Sequence, residues 1–314
     1  MCVRAETLRR DRQTPATFER STGRESETQT FALIEDSPAV RLELSSWPES
    51  VTLVRSVLAA LGEALALDPE LLDDLKTAIS EACNNVVLHA YPGTVGPMFV
   101  ELAVSRTRVE VTVEDFGGGI KHLSHSDDRM GVGLAVISAL AERAEFLSEA
   151  DAGTTVRMSF AGGSAEISES APSGVGATPT AAEVKLSGDV VATVTPVELL
   201  ARVLGRAARA TAARAHFTVD RFADLTLITN ALGDCAVESH DGQPVGFSIL
   251  SAPRRLELAI GPLRNGSGAE LSDSAAAGEP AATLGRLVDE LRVEPDGAHE
   301  LLRVVFADRS RDRD

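Results

Sequence analysis

The chain has 314 residues, of which 44% are hydrophobic and 25% charged, enough apolar side chain for a packed core and length for about two domains. Thirty Lys and Arg against 47 Asp and Glu give a net charge of -17; a surface of that sign repels phosphate backbones and anionic lipid, so neither direct nucleic-acid contact nor membrane attachment is expected. Cys2, Cys83 and Cys235 lie far apart without metal-ligand spacing, which argues against a disulfide framework or a zinc site and for a reducing, cytoplasmic setting.

In chain order, residues 1–38 have no sustained apolar period and no apolar signal core; they read as a flexible tail. A first periodic block covers 39–160. Residues 40–44 (VRLEL) alternate as a strand does, and Pro48 opens a helix with Val51, Val54, Val57, Leu58, Leu61 and Leu65 at helical spacing. Asp68-Pro69 starts a second helix, expected over 70–89 and closed by Tyr91-Pro92-Gly93. Strands over 98–105 and 108–114, a glycine-rich loop, a helix over 133–144 and a strand over 154–160 follow. This order predicts an α/β fold, a two-layer sandwich of a mixed sheet with helices on one face.

Residues 161–183 are rich in Gly, Ser, Ala and Pro and read as a linker. The block 184–308 then repeats the order of elements: Thr195-Pro196-Val197-Glu198 parallels Trp47-Pro48-Glu49, and Ala223-Asp224-Leu225 parallels Asp73-Asp74-Leu75. Two readings stay open, a tandem duplication with a degenerate second copy or a merely similar α/β domain. Residues 309–314 are a short charged tail.

Three features of the first block carry chemistry. Glu81, Asn85 and His89 fall at i, i+4 and i+8, stacked along one edge of the stripe formed by Leu72, Leu75, Ile79, Ala82 and Val86. Asn84 lacks that spacing from Glu81. The strand over 109–113 runs into Asp115-Phe116-Gly117-Gly118-Gly119-Ile120, where a carboxylate at a strand end is followed by glycines that let a flat ring approach the backbone. Arg129-Met130-Gly131-Val132-Gly133 precedes an apolar helix, a place for free amides and a fixed positive charge to meet phosphate. Each alone has an ordinary explanation as a solvated flank, an acidic turn or a loop-to-helix junction; the three in this order are a strong signal.

With Gly153-Thr154-Thr155, these motifs resemble the boxes of the GHKL ATPases. Within them, Ser80-Glu81-Ala82, Asn85, His89-x-Tyr91 and Arg129-x-Gly131-x-Gly133 resemble the anti-sigma-factor serine-protein kinases, RsbW-like. The resemblance covers about residues 40–160. It implies ATP and Mg²⁺ as cofactors, with Asp115, Gly117, Gly119 and Ile120 at the adenine and Thr155 completing that end. Asn85 would ligate the metal, Glu81 would act as general base, and Arg129, Gly131, Val132 and Gly133 would hold the phosphates. His89 reads either as lining the phosphate side or as a helix-end histidine. Arg55 resembles a partner-contact arginine, though an exposed helix arginine is ordinarily solvated.

No histidine precedes His89, and 120–130 is a short lid, so transfer onto a separate protein is expected. The resemblance makes that protein a serine- or threonine-bearing anti-anti-sigma partner of STAS type, with a sigma factor as the second partner. A homodimer and an internal pair of the two blocks are both open. The second block has Ala231 for Glu81, Cys235 for Asn85 and Pro262 for Asp115, so it is expected not to hold Mg-ATP. The competing class is a nucleotide-gated binding module that sequesters a partner without phosphorylating it. A stress-signalling scaffold that binds through its acidic surface and tail is a third option.

Overall fold

Val40, Leu42 and Leu44 alternate with Arg41 and Glu43, and this alternation sets strand β1 (Ala39–Ser45) with its apolar residues inward. The computed structural model describes residues 39–119, 128–149, 152–163, 186–267 and 280–309; of 128–131, 149 and 280–283 it describes the backbone. Helix α1 (Pro48–Ala64) starts with proline in its first turn, where the missing N–H costs nothing, and buries Val54, Val57, Leu58 and Leu61. Helix α2 (Pro69–Asn85) is capped by Asp68, whose carboxylate accepts the N–H groups of Glu70 at 2.9 Å and Leu71 at 3.2 Å.

Strands β2 (Pro97–Val104) and β3 (Arg108–Asp115) form a hairpin, followed by helix α3 (Asp128–Leu140) and strands β4 (Arg143–Glu149) and β5 (Gly153–Ala161). The remaining chain gives β6 (Val190–Thr195), α4 (Leu200–Arg214) and α5 (Asp220–Ser239). It closes with β7 (Val245–Ala252), β8 (Arg255–Arg264), α6 (Pro280–Leu287), β9 (Glu290–Asp296) and β10 (His299–Ala307).

The strands make one ten-stranded sheet in the order β4-β5-β3-β2-β1-β6-β7-β8-β10-β9. Read outward from the centre, β1-β2-β3-β5-β4 on one side has the same connectivity as β6-β7-β8-β10-β9 on the other. Helices pack in a row over one face, α3 against α2, α2 against α1, α1 against α4, α4 against α5 and α5 against α6. The expected two-layer sandwich is therefore present.

Its sheet is antiparallel at every pairing among the described residues, rather than mixed in direction. The reason lies in β4 and β9. The helix expected over 133–144 stops at Leu140 and its second-half counterpart α6 stops at Leu287, and an edge strand follows each. Without those strands, β5 and β10 would follow a helix directly, which is the connection of a parallel pair. A second difference concerns α2: the α-helical ladder ends at Asn85, and residues Val86–Ala90 form a π-helical turn, a local widening that recurs at functional sites.

Candidate functional site

The alternation of β3 points Val111, Val113 and Asp115 toward the helices, so the last residue of the strand carries a carboxylate into an otherwise apolar layer. Asp115 is 4% exposed. Burial raises its pKa above the usual carboxylate value, against the opposing effect of the Gly117 and Thr154 backbone N–H groups. The Gly117 N–H donates to Asp115 Oδ1 at 2.8 Å.

The loop after Asp115 is fixed from two sides. Gly118 N–H donates to the Ala90 carbonyl at 3.0 Å, and a Cβ on Gly117 would stand 2.0 Å from that same oxygen, so only glycine fits there. Tyr91 Oη accepts the Phe116 N–H at 2.8 Å and donates to the Pro97 carbonyl at 2.7 Å. Burial pushes the Tyr91 pKa up to about 12, with the Asp115 and Glu114 charges adding to it, so the phenol stays protonated as this bridge requires. Gly153, at φ +92°, passes under the strand end; a Cβ there would lie 2.0 Å from the Asp115 carbonyl.

A narrow cleft opens above this carboxylate, lined by Ala82, Asn85, Val86, His89, Ala90, Val113, Asp115, Gly119, Leu134, Thr154 and Val156. Helix α2 and its π-helical turn thus supply one wall and the ends of β3 and β5 the floor. Glu81, one turn before Asn85, meets α3: a Cβ on Gly133 would stand 3.0 Å from Glu81 Oε2 and 3.6 Å from Asn85 Oδ1. The three sequence motifs therefore converge on one place.

Several placements differ from expectation. Thr155 pairs with Glu114 on the opposite face of the sheet, and Thr154, opposite Asp115, lines the cleft instead; strand parity decides which of two adjacent threonines faces the helices. Helix α3 begins at Asp128, so Arg129 and Gly131 lie in its first turn and Gly133 in its second. Amides of a second turn are taken up by the helix ladder, so Gly133 acts by close approach to Glu81 and Asn85 rather than through a free N–H. Val132 points outward, 62% exposed. Ile120 and most of the 120–130 lid lie outside the described residues, as does the Arg129 side chain. Arg55 donates to the Lys76 carbonyl at 3.2 Å and to Ser80 Oγ at 2.8 Å, tying α1 to α2.

Residues 44–160 match the histidine kinase-like ATPase domain family. The serine-protein kinase RsbW of Bacillus pumilus is 31% identical over 136 residues, 83% of that protein and 38% of this chain. The chain belongs to the RsbW-like family. Two further relatives agree: the anti-sigma F factor of Clostridium perfringens (strain 13 / Type A), 30% identical over 130 residues, 93% of that protein and 38% of this chain, and that of Thermoanaerobacter sp. (strain X514), 29% over 137 residues, 94% of it and 40% of this chain. A histidine kinase domain from the Erythrobacter litoralis EL346 blue-light activated histidine kinase has 22% identity over 29% of this chain and 44% of that one, with a TM-score of 0.24. The match to the histidine kinase-like ATPase domain ends at residue 160, short of the second half.

In that second half, α5 runs as an unbroken α-helix to Ser239. At the positions of Glu81, Asn85 and His89 it has Ala231, Cys235 and Ser239, and the last two are buried with Cys235 Sγ 3.9 Å from Ser239 Oγ. Pro262 stands at the place of Asp115 in β8. Glu300, near the position of Thr154, is turned inward at 7% exposure and accepts the Gly266 N–H at 3.1 Å. Among the described residues no group of three or more His, Cys, Asp or Glu side chains could hold a metal, and no helix is long and apolar enough to cross a membrane.

Proposed function

We propose that the first half is an ATP-dependent serine/threonine-protein kinase that phosphorylates an anti-anti-sigma (STAS-type) partner, and that the protein binds a sigma factor. The observation that carries this reading is the convergence of Glu81 and Asn85 on Gly133, beside a cleft that ends at the buried Asp115. The names of the relatives, serine-protein kinase RsbW and anti-sigma F factor, support it.

The residues present fit a magnesium-bound nucleotide. A buried carboxylate on an apolar floor suits the exocyclic amino group of adenine, and the apolar lining suits its ring. Asn85 would offer an amide oxygen to Mg²⁺, an ion that ordinarily takes few protein ligands and the remainder from phosphate and water. Arg129, with the first-turn amides of α3 around Gly131, would hold the phosphates, His89 would line their side, and Thr154 would complete the adenine end. Bound Mg-ATP supplies the phosphoryl group and neutralises its charge. Glu81 would accept the proton of the attacking serine or threonine hydroxyl, while Gly117 and Gly119 keep the loop close enough to close the base off from water.

The test is transfer from γ-labelled ATP onto candidate anti-anti-sigma proteins, comparing the native chain with Glu81→Gln. Loss of transfer with retained nucleotide binding is expected. Equal transfer by the variant removes Glu81 from the mechanism, and nucleotide binding without any transfer by the native chain favours the sequestering module.

A further inference from the structure

We infer that the second half is a built-in partner occupying the β1 edge and α1 face of the first, so that the chain is a one-site monomer with the architecture of an internal dimer. The central pairing carries this. In the antiparallel β1–β6 ladder Leu42 stands opposite Ala192, Val40 opposite Val194 and Leu44 opposite Val190. With Asp74 matched to Asp224 and Ala66 (φ +47°) matched to His216 (φ +61°), counterparts lie a constant interval apart, and the same interval takes Leu42 to Ala192, Val40 to Val190 and Leu44 to Val194. Leu42 therefore faces its own counterpart, and each flanking residue faces the counterpart of the other. That is the register of a two-fold, self-complementary interface, here formed within one chain.

The helices above the strands obey the same axis. Glu63, late in α1, takes Arg206, midway along α4, in a two-pronged ion pair at 2.8 and 2.7 Å. Ser50 and Leu53, early in α1, share a groove with Ala210 and Ala213, late in α4, so the two helices run antiparallel across the seam. Pairing on both sides makes β1 an interior strand, leaving no open edge there for a second copy. Residues 162–189 tether the two surfaces, and a tether of that kind holds its partner at an effective concentration of roughly millimolar, above that of any separate copy.

The pair is unequal in chemistry. Cys235 and Ser239 pack in the core where Asn85 and His89 line a cleft, and Pro262 has no side-chain acceptor to offer adenine. The internal dimer therefore has one nucleotide site. The count of sites rests on the kinase reading; the occupied seam does not.

The experiment is light-scattering mass of the full chain over a wide concentration range, with and without Mg-ATP, together with equilibrium titration of the nucleotide. A mass of 33.0 kDa throughout and one nucleotide per chain are expected. A mass that doubles with concentration overturns the occupied seam, and two nucleotides per chain overturn the single site. A constant single-chain mass with no nucleotide bound supports the seam while removing the site count and the kinase reading with it.

Discussion

Helices α2 and α5 occupy the same place in the two halves of the sheet and differ where it matters for chemistry. In α2, Ala82 and Cys83 are buried, and the helix then widens at the buried Val86 into a π-helical turn, with Asn85 and His89 at a cleft. In α5, Leu232, Cys235, Ala236 and Ser239 are all buried and the α-helix continues without a break. Both build the same layer. The lesson is that the polar residues of the first half are not required by the fold; burying a carboxylate costs stability, and the second half builds the same layer without one at that place.

The largest expected contrast is catalytic. Glu81→Gln should lower transfer by roughly 10²–10⁴-fold, the usual contribution of a positioned base, whereas Ala231→Glu in the second half should add none; transfer assays on both variants measure it. Next is the seam. Leu42 is fully buried opposite Ala192, and Leu42→Ala should cost about 2–5 kcal/mol. Since β1 belongs to both halves of the sheet, thermal melts followed by circular dichroism and by Trp47, the single tryptophan, should shift together. Separate shifts would show that the halves unfold independently.

Asp115→Asn should weaken ATP binding by about 1.5–3 kcal/mol, the range for a hydrogen bond to a charged group, without destabilising the fold. The amide can still accept the Gly117 N–H, and no buried charge remains. Burial raises the folded pKa of Asp115 above the usual carboxylate value. The stability linked to its proton is thus complete below the unfolded pKa and lost as pH rises through the folded one. The variant lacks that dependence and should gain on the native chain as pH increases, which melts across the acid range would record.

Smaller still, Gly133→Ala should reduce transfer by about tenfold, because the added methyl meets Glu81 Oε2 at 3.0 Å and small displacements of a catalytic group cost rate. Its melting point should barely move, since the end of a glutamate side chain can give way. Smallest is Glu63→Ala. The Glu63–Arg206 pair is exposed, with side chains 58% and 38% accessible, and its loss should cost below about 1 kcal/mol. A double-mutant cycle with Arg206→Ala would measure the coupling.

Local signals made much of this molecule legible. The cap Asp68 and the helix-opening Pro48, the alternation of β1, β2, β3 and β5, and the spacing of Glu81, Asn85 and His89 are all short-range features, and each element they predict is present. The edge strands β4 and β9 were hidden because no glycine or proline separates Leu140 from Arg143 or Leu287 from Glu290, so nothing in the residues marks where helix yields to strand. The choice of Thr154 over Thr155 depends on register against β3, which two adjacent threonines do not encode.

By itself, then, the order of residues determined the type of each long element, the approximate repeat of the second half and the loss of charged groups there, since periodicity and residue identity act locally. Only the tertiary structure decided that the two halves share one sheet, that Leu42 meets its own counterpart and that Gly133 comes up against Glu81 and Asn85. Those facts depend on distant segments meeting in register, and backbone hydrogen bonding across a strand edge is the same whichever residues present it.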